Sequence, residues 1–428
     1  MGYLPLPRPA PGYRWEEDEL GIRLQGPEGL AAYIHLHHSH PPLLPPPPSP
    51  PRLSRLQPED LEDRAKRARG ASPQRLFMHP LAYEEAGPGL GLYLGPGCTY
   101  QCAVCSTGPF TFGGKWGIPA SPPQELAQRI AGRLRQLEGE GFFQGLPWLV
   151  VLGGEPTLFL PYLFQTMAAL ASELSKRGGP IPYLSLVTNG HILDDERIRL
   201  LTGVADLYVL TLRAENPCAG SLGIPKTHAE VVTGFLRRLL EWDAEARVLV
   251  RVWVASGHTA CCAKPLLQRL ESFTTYKGRL WVMPVSVLPL EARAEAPQPV
   301  KRMPTREELR DVISEARRLG LLPDFTGYLE LPKMAEGEPW DALPLLEQAV
   351  RWNPLDPQLR YWKGLIRLRV GDLAGASQDA LRLEEMGQEG KYLAQNLWEK
   401  IRMALANPSL RRGLLWFSPS LPKSEKGA

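Results

Sequence analysis

The sequence predicts an α/β fold, because short apolar segments alternate six times with helical segments. The apolar segments are rich in Val, Leu and Ile, as expected of parallel strands that are buried on both faces. Strands are predicted at residues 90–94, 148–152, 183–187, 206–212, 248–254 and 280–285, and helices between them at 125–137, 160–177, 195–202, 228–242 and 265–272. Six β/α units in a row are typical of an α/β barrel or a doubly wound sheet, and periodicity does not separate the two.

We place this core at residues 89–300. The chain before it has a different composition. Residues 1–40 predict a small β-hairpin segment, with two strands flanking the Gly-Pro-Glu-Gly turn at 26–29. Residues 41–88 predict a proline-rich linker followed by a short charged helix at 58–69. This part of the chain is therefore expected to be an appendage of the core.

The chain after the core is predicted to be helical. Residues 301–340 predict a connecting helix and linker, residues 341–406 a helical unit, and residues 407–428 a tail. Within the helical unit, Gly364, Gly371, Asp372 and Ala376 fall where a tetratricopeptide (TPR) repeat carries its small and turn residues. A single TPR-like unit cannot bury its own apolar face, so we expect it to pack on the main domain or on a helix at 391–406. The unit is also a candidate surface for a protein partner.

Composition limits the class of protein. A chain of 428 residues with 43% apolar residues can form one large domain and a smaller one. The net charge of +3, without a block of Lys and Arg, gives no reason to predict a nucleic acid partner. The start of the chain does not read as a signal peptide, and no apolar run approaches the roughly 20 residues of a membrane span. No membrane partner is predicted, and a cytoplasmic location is expected, where thiols stay reduced.

Three cysteines carry the most specific signal. Cys98, Cys102 and Cys105 lie in the loop after the first predicted strand of the core, with gaps of three and two residues between them. Three thiolates on one short loop suit a [4Fe–4S] cluster, which would keep one iron open for a small molecule. A thioredoxin-like redox pair or half of a zinc site are the alternatives, although the sequence offers no second pair of ligands to complete a zinc site.

Further polar residues follow the next strands. Gly153, Gly154, Glu155 and Pro156 come after the second strand, where glycines allow a close backbone approach to a ligand and a carboxylate suits an ammonium group. A tight turn with a surface glutamate is the alternative. Thr188 and Asn189 end the third strand, and Arg251 interrupts an apolar strand, where it needs an anionic partner or a salt bridge. Because ligands bind at the carboxyl ends of parallel strands, these residues are expected to converge.

The Cys-x3-Cys-x2-Cys spacing, followed one β/α unit later by Gly-Gly-Glu-Pro, resembles the motifs of radical SAM enzymes. With the Thr-Asn-Gly at 188–190 and the segments 216–232 and 257–265, residues 89–290 are similar to iron–sulfur proteins related to pyruvate formate-lyase activating enzymes. The resemblance implies a partial (β/α)6 TIM-like barrel. It also implies a [4Fe–4S] cluster bound by Cys98, Cys102 and Cys105, with S-adenosyl-L-methionine (SAM) as the second cofactor.

The resemblance also implies roles for individual residues. The segment from Gly153 to Pro156 would hold the amino group of SAM, Thr188 and Asn189 would lie near the cofactor, and Arg251 would meet its carboxylate. Val104 stands where the family usually has an aromatic residue, so it would shield the adenine as an apolar side chain with Tyr100 nearby.

The implied activity is reductive cleavage of SAM to a 5′-deoxyadenosyl radical that abstracts hydrogen. This is an oxidoreductase-type reaction, and a reductant such as flavodoxin or ferredoxin would supply the electron. An activase that makes a glycyl radical on a partner enzyme is one form of it. The alternatives are modification of a peptide or a small-molecule metabolite, with an auxiliary cluster, and a non-enzymatic iron–sulfur or zinc protein that binds a partner. Cys218, Cys261 and Cys262 would supply an auxiliary cluster, but vicinal cysteines suit a cube poorly and structural or substrate-facing roles are favoured.

Overall fold

A computed structural model of the chain describes two compact units, residues 1–323 and 324–428. The residues that it describes are 8–9, 11–18, 21–26, 29–35, 50–83, 87–102, 105, 117–140, 146–177, 181–191, 193–215, 218–276, 278–287, 290–291, 300, 302, 304–321, 343, 346–347, 350 and 357–406. The proline run at 41–49, Val104, most of the linker at 322–356 and the tail at 407–428 lie outside the described residues.

The first unit is built on an eight-stranded sheet. Its strands are β5 (Arg75–Tyr83), β6 (Gly87–Gly95), β7 (Ile118–Pro119), β8 (Trp148–Gly153), β9 (Tyr183–Thr188), β10 (Leu207–Leu212), β11 (Val248–Val254) and β12 (Leu280–Ser286). The order across the sheet is β12-β11-β10-β9-β8-β6-β5-β7. The six strands from β6 to β12, without β7, pair in parallel and in chain order, while β5 and β7 add antiparallel pairs at the edge.

The six parallel strands match the six predicted ones to within a few residues at each end. The helices of the first unit are α1 (Pro58–Arg67), α2 (Pro123–Gly139), α3 (Leu160–Arg177), α4 (Asp195–Leu201), α5 (His228–Trp242), α6 (Lys264–Leu270) and α7 (Arg306–Arg318). All seven contribute buried apolar residues to one core cluster, together with alternate residues of the strands such as Val248, Val250 and Val252. The strand order never reverses, as it would in a doubly wound sheet.

The side of β10 and β11 that faces away from this core carries polar residues. On β11 the exposure alternates from Val250 to Val254: Arg251 and Trp253 are half-buried, and the three valines next to them are buried. Thr211 on β10 pairs in register with Arg251. The period of two along a strand therefore places these side chains together on the second face of the sheet.

The N-terminal segment contains two strands more than the predicted hairpin, β1 (Arg8–Pro9) and β2 (Arg14–Asp18). Strands β2 (Arg14–Asp18), β3 (Gly21–Gly26) and β4 (Gly29–His35) form a three-stranded antiparallel sheet, and β3 and β4 flank the predicted turn. Strand β1 (Arg8–Pro9) pairs instead with β13 (Leu290–Glu291). The additional strand β2 is short and charged (Arg-Trp-Glu-Glu-Asp), which gives little apolar pattern to recognise.

Strand β5 is the largest element that the sequence pattern does not indicate. It contains Pro80, and proline lacks the N–H group that a central strand needs. In the structure β5 pairs with β6 along its whole length, but β7 covers only Arg75 and Leu76 on the other side. Because no described strand pairs with Pro80 on that side, the strand tolerates it.

A buried ion pair fixes the segment before α1 to the core. The guanidinium of Arg52 donates to both carboxylate oxygens of Asp243, at 2.6 and 3.1 Å, and both side chains are 8% exposed. The backbone N–H groups of Gly203 and Glu245 donate to the same carboxylate at 2.9 and 3.1 Å. Burial raises the pKa of Asp243, but the hydrogen bond and charge of Arg52 outweigh it, so the pKa lies below its ordinary value.

The second unit contains three described helices, α8 (Pro357–Val370), α9 (Leu373–Glu384) and α10 (Gly387–Ala406). Their apolar residues form a separate core, and Gly364 of α8 lies directly against Leu397 of α10. Asp372 caps α9 by accepting from the N–H of Gly375 at 2.8 Å. Asp379 is 2% exposed and pairs with Lys363 at 2.8 Å.

Among the helices of the described residues, none is both long and apolar enough to cross a bilayer.

The Arg52–Asp243 pair predicts an acid-sensitive contribution to stability. In an Asp243→Asn variant at pH 7, buried Arg52 keeps only the more distant charges of Glu245, at 3.9 Å, and Asp206, and we expect unfolding to need about 3 kcal/mol less free energy. A carboxylate with a depressed pKa stabilises the fold above its unfolded value of 3.8 and loses this effect as the pH falls through the folded pKa. The difference between variant and wild type in urea unfolding should therefore shrink below about pH 4.

Asp63→Asn is the matched control, because Asp63 pairs with Lys66 at 2.8 Å on an exposed surface. It should leave the urea midpoint close to that of the wild type. Equal midpoints for Asp243→Asn and Asp63→Asn at pH 7 would contradict the stabilising role of the buried pair.

Candidate active site

The three clustered cysteines follow strand β6 at the carboxyl edge of the sheet. Cys102 is buried, and Cys98 and Cys105 are half-buried. All three pack against a small apolar cluster, which we call the site cluster; its buried members are Tyr100, Cys102, Ala214, Ala219, Leu222, Ile224, Ala255, Cys262, Val287 and Val300. The site cluster is separate from the main core and joins loops that follow β6, β10, β11 and β12. The cysteine loop thus lies where the carboxyl ends of the strands meet.

Gly153 and Gly154 let the end of β8 approach the cysteine loop. A Cβ atom at Gly154 would overlap the carbonyl group of Gly97, the residue before Cys98, and one at Gly153 would overlap the backbone of Leu94. Gly153 also has a φ of 142°, which side-chain-bearing residues rarely adopt. The backbone N–H of Glu155 donates to the carbonyl oxygen of Gly97 at 2.8 Å. The glycines are needed for backbone contact between two strand ends.

The carboxylate of Glu155 is fully buried and connects β8 to β9. One oxygen accepts from the N–H and hydroxyl of Thr157, at 3.1 and 2.6 Å, and from the hydroxyl of Thr188 at 2.6 Å. The other accepts from the N–H of Asn189 at 2.7 Å. Three of these bonds fall on one oxygen and one on the other, so among the described residues the second oxygen keeps an acceptor position. These bonds join β8 to β9, and the remaining position is compatible with the predicted contact with an ammonium group. Pro156 opens the turn that follows and is buried.

Thr188 and Asn189 carry this connection to the cysteine loop. The side-chain amide of Asn189 donates to the hydroxyl of Thr99 at 2.9 Å and lies 3.7 Å from the sulfur of Cys98. Thr188 accepts from the N–H of Gly190 at 3.0 Å while it donates to Glu155. The end of β9 therefore contacts the cysteine loop, as the convergence of strand ends predicts.

Tyr100 is 1% exposed, and its hydroxyl contacts His228 at the start of α5. Its hydroxyl lies 2.6 Å from Nδ1 of His228, and Nε2 of His228 accepts from the N–H of Arg213 at 3.0 Å. Because Nε2 is an acceptor, Nδ1 carries the proton in the neutral ring. Burial, with the charge of Arg213 and the ring of His191, lowers the pKa of His228 well below its usual value. His228 is thus a neutral positioning residue for Tyr100.

Arg213 is the main charged group that the sequence interpretation did not include. It follows the last residue of β10, and its guanidinium stacks on the rings of Tyr100 and Trp253 at 5.4 and 5.2 Å. Its Nε and Nη1 atoms are buried, and within the described residues they have no hydrogen-bond partner. A cationic group in this state is suited to binding an anion. A polar residue directly after an apolar parallel strand was the signal that could have identified it.

Arg251, which the sequence singled out, lies inside β11 rather than at its end. It is half-buried on the same face of the sheet as Trp253. Val104 cannot be placed, because it lies outside the described residues.

The donor set of the cysteine loop fits an iron–sulfur cluster. Burial raises the pKa of the Cys98 thiol to about 12 and that of Cys102 to about 11, and nearby Arg213 lowers each of them in part. The N–H of Tyr100 and the amide of Asn189 point at the Cys98 sulfur, at 3.4 and 3.7 Å. Such N–H···S contacts and an apolar surround are typical of cluster ligands. Binding of metal by these thiols requires the loss of their protons.

Comparisons with known proteins give weak structural similarities. No family model matches the chain, and a search of curated proteins finds no match. Among solved structures, anSMEcpe with bound AdoMet and a Cp18Cys peptide is similar at 17% identity and a TM-score of 0.36, over 55% of this chain and 62% of that one. Hexahistidine-tagged anSMEcpe with bound AdoMet gives 18% and 0.36, over 55% and 63%.

A third similar structure is Streptococcus suis SuiB bound to the precursor peptide SuiA, at 15% identity and a TM-score of 0.33, over 56% of this chain and 50% of that one. The chain thus spans less than two thirds of each of these proteins. TM-scores below 0.5 do not establish a common fold.

Proposed function

We propose that this protein is a radical SAM enzyme. The observation that carries the proposal is the position of Cys98, Cys102 and Cys105, on a loop that the Gly-Gly-Glu-Pro turn and Asn189 hold at the carboxyl edge of a parallel sheet. When bound, a [4Fe–4S] cluster on these cysteines would supply the electron for reductive cleavage of SAM to methionine and a 5′-deoxyadenosyl radical, which abstracts hydrogen from the substrate.

The protein's own residues would bind and orient SAM. Arg213 presents a buried cation beside the cysteine loop and matches the carboxylate of SAM better than Arg251, which lies deeper in its strand. Glu155 would act through Asn189 and Thr188 by keeping the strand ends in place. Tyr100 offers an aromatic ring, held by His228, to the same region.

The topology supports a partial (β/α)6 barrel as the scaffold. Six parallel strands follow one another in chain order, and the helices pack on one face of the sheet. This arrangement frees the other face, which carries Thr211, Arg251 and Trp253, to line a substrate cavity.

The substrate class and partners stay predictions. A glycyl-radical enzyme as partner, and a peptide or small metabolite as substrate, are both compatible with the site, and a flavodoxin or ferredoxin would be the electron donor. The helical second unit, with Gly364 against Leu397 and Ala376 buried, supports a TPR-like packing that could bind a protein partner.

The first test is SAM cleavage. Anaerobically reconstituted protein should contain about four irons per chain and, with dithionite and SAM, should form 5′-deoxyadenosine measured by mass spectrometry. Cys102→Ala should abolish the product, because Cys102 is the most buried of the three ligands. Asp63→Asn, which changes an exposed residue of α1, should keep the four irons and the product. A fully loaded wild-type protein that forms no 5′-deoxyadenosine would leave a non-enzymatic iron–sulfur role.

The glycine contact can be tested separately. Gly154→Ala places a methyl group on the carbonyl of Gly97, so the cysteine loop must shift. We expect a loss of about 1–3 kcal/mol in stability and iron well below four per chain. Gly132→Ala is the control, since no atom lies within 4 Å of the added Cβ in α2. Full iron content in both variants would show that the close approach does not position the ligands.

Arg213 provides a third test. Arg213→Gln removes the charge but keeps the backbone N–H that donates a hydrogen bond to Nε2 of His228. The affinity for SAM, measured by anaerobic calorimetry, should fall about 10- to 100-fold. Arg237→Gln is the matched control, because Arg237 also stacks on an aromatic ring, Phe273, but away from the cysteine loop. If the two variants bind SAM equally well, Arg213 is not the carboxylate-binding group.

A further inference from the structure

A second group of metal-binding side chains lies at the same edge of the sheet. Cys218, His258, Cys261 and Cys262, which we call the Cys3His group, each offer one ligand atom, and these atoms all lie within 4.8 Å of one another. None of them belongs to the Cys98–Cys105 loop. His258 completes the group, and the sequence interpretation did not consider it because it assigned only the cysteines.

Two loops of the fold bring the group together. Cys218 lies after β10, just before the short 3-10 turn at Gly220–Leu222. The other three residues follow β11, where Thr259–Ala263 forms a π-helical turn and the N–H of Ala263 donates to the carbonyl of His258 at 3.3 Å. Single π turns are rare and occur frequently at functional sites. Here the turn directs His258 and both vicinal cysteines to one point.

Two of the distances between the ligand atoms match those expected around a single tetrahedral ion, and all of them lie within 4.8 Å. With Zn–S bonds of about 2.3 Å and Zn–N bonds of about 2.0–2.1 Å, the edges of a tetrahedron are about 3.8 Å between sulfurs and about 3.6 Å from sulfur to nitrogen. In the structure, the sulfurs of Cys261 and Cys262 are 3.8 Å apart, and the sulfur of Cys261 lies 3.6 Å from Nδ1 of His258.

The same distances are unsuited to an iron–sulfur cube. Each iron of a cube takes its own thiolate, so the ligand sulfurs lie on separate corners and farther apart than on one ion. Three cysteines and one histidine are instead a common ligand set for structural zinc.

Contacts around the group would support a bound ion. The main chain of Glu215 hydrogen-bonds the sulfur of Cys262, and the Glu215 carboxylate pairs with Arg269 of α6. Backbone contacts to thiolates orient them and are characteristic of metal sites. Cys218, Cys261 and Cys262 also pack on the site cluster, so the group adjoins the loop that carries Cys98.

We propose that Cys218, His258, Cys261 and Cys262 bind one Zn²⁺ in a closed, four-ligand site. With all four positions taken by protein atoms, the ion is structural. It ties the loop after β10 to the turn after β11 and so fixes one side of the candidate active site. This site is independent of the proposed SAM chemistry.

The test measures metal in a full-length chain that lacks the other site. A Cys98→Ser/Cys102→Ser/Cys105→Ser variant, purified without added metal, should contain about one zinc per chain by mass spectrometry and no iron. After removal of zinc, added Co²⁺ should give the absorption bands of a tetrahedral thiolate site. Adding Cys261→Ser or His258→Asn to this background should abolish zinc binding, whereas Thr259→Ala, a neighbour in the same turn, should retain it.

Folding is checked in the single variants. Cys261→Ser and His258→Asn with the cluster cysteines intact should keep the far-ultraviolet circular dichroism of the wild type, which shows that the fold persists. Three results would overturn the proposal: a folded triple variant without zinc or cobalt bands, zinc that persists in both Cys261→Ser and His258→Asn, or about eight irons in the wild type that fall to four in Cys261→Ser. The last would indicate an auxiliary iron–sulfur cluster.

Discussion

The buried carboxylate of Glu155 is the interaction on which the geometry of the site depends. A carboxylate without access to water costs several kcal/mol unless donors surround it. Thr157, Thr188 and the N–H of Asn189 supply those donors, so the ends of β8 and β9 are fixed by the need to satisfy one anion. Asn189 then reaches Thr99 and Cys98. The position of the cysteine loop is therefore set from within the sheet.

The parallel strands and their helices could be predicted from the sequence, because each is a continuous apolar run or an amphipathic repeat. Strands β2, β5 and β7 could not, since their stability comes from pairing with a neighbour rather than from their own pattern. Pro80 in β5 argues against a strand until its uncovered edge is known. The choice between barrel and doubly wound sheet likewise depends on strand order and on which face the helices cover, and neither is a property of a single segment.

The sequence predicted which residues lie near one another at the candidate site, but it did not predict the contacts that each of them makes. The rule that strand ends converge placed Cys98, Gly154 and Asn189 together. It did not show that the carboxylate of Glu155 joins the ends of β8 and β9, that His228 orients Tyr100, or that Arg213 stacks on Tyr100 beside the cysteines. These roles depend on contacts between residues far apart in the chain. The same is true of His258, which a spacing rule for cysteines does not include.

The cysteine loop is held by main-chain bonds on both sides, from Glu155 to Gly97 and from Gln101 to Gly223. Ordering a loop costs roughly 1–2 kcal/mol of entropy for each residue. Here that cost falls on the folding of the domain, because the strands themselves restrain the loop. In a zinc finger, by contrast, the metal must order its own ligands and folds the chain as it binds. The restraint on the described part of this loop thus comes from the folded domain, so under the proposed function a cluster would bind to a loop that the fold has already shaped.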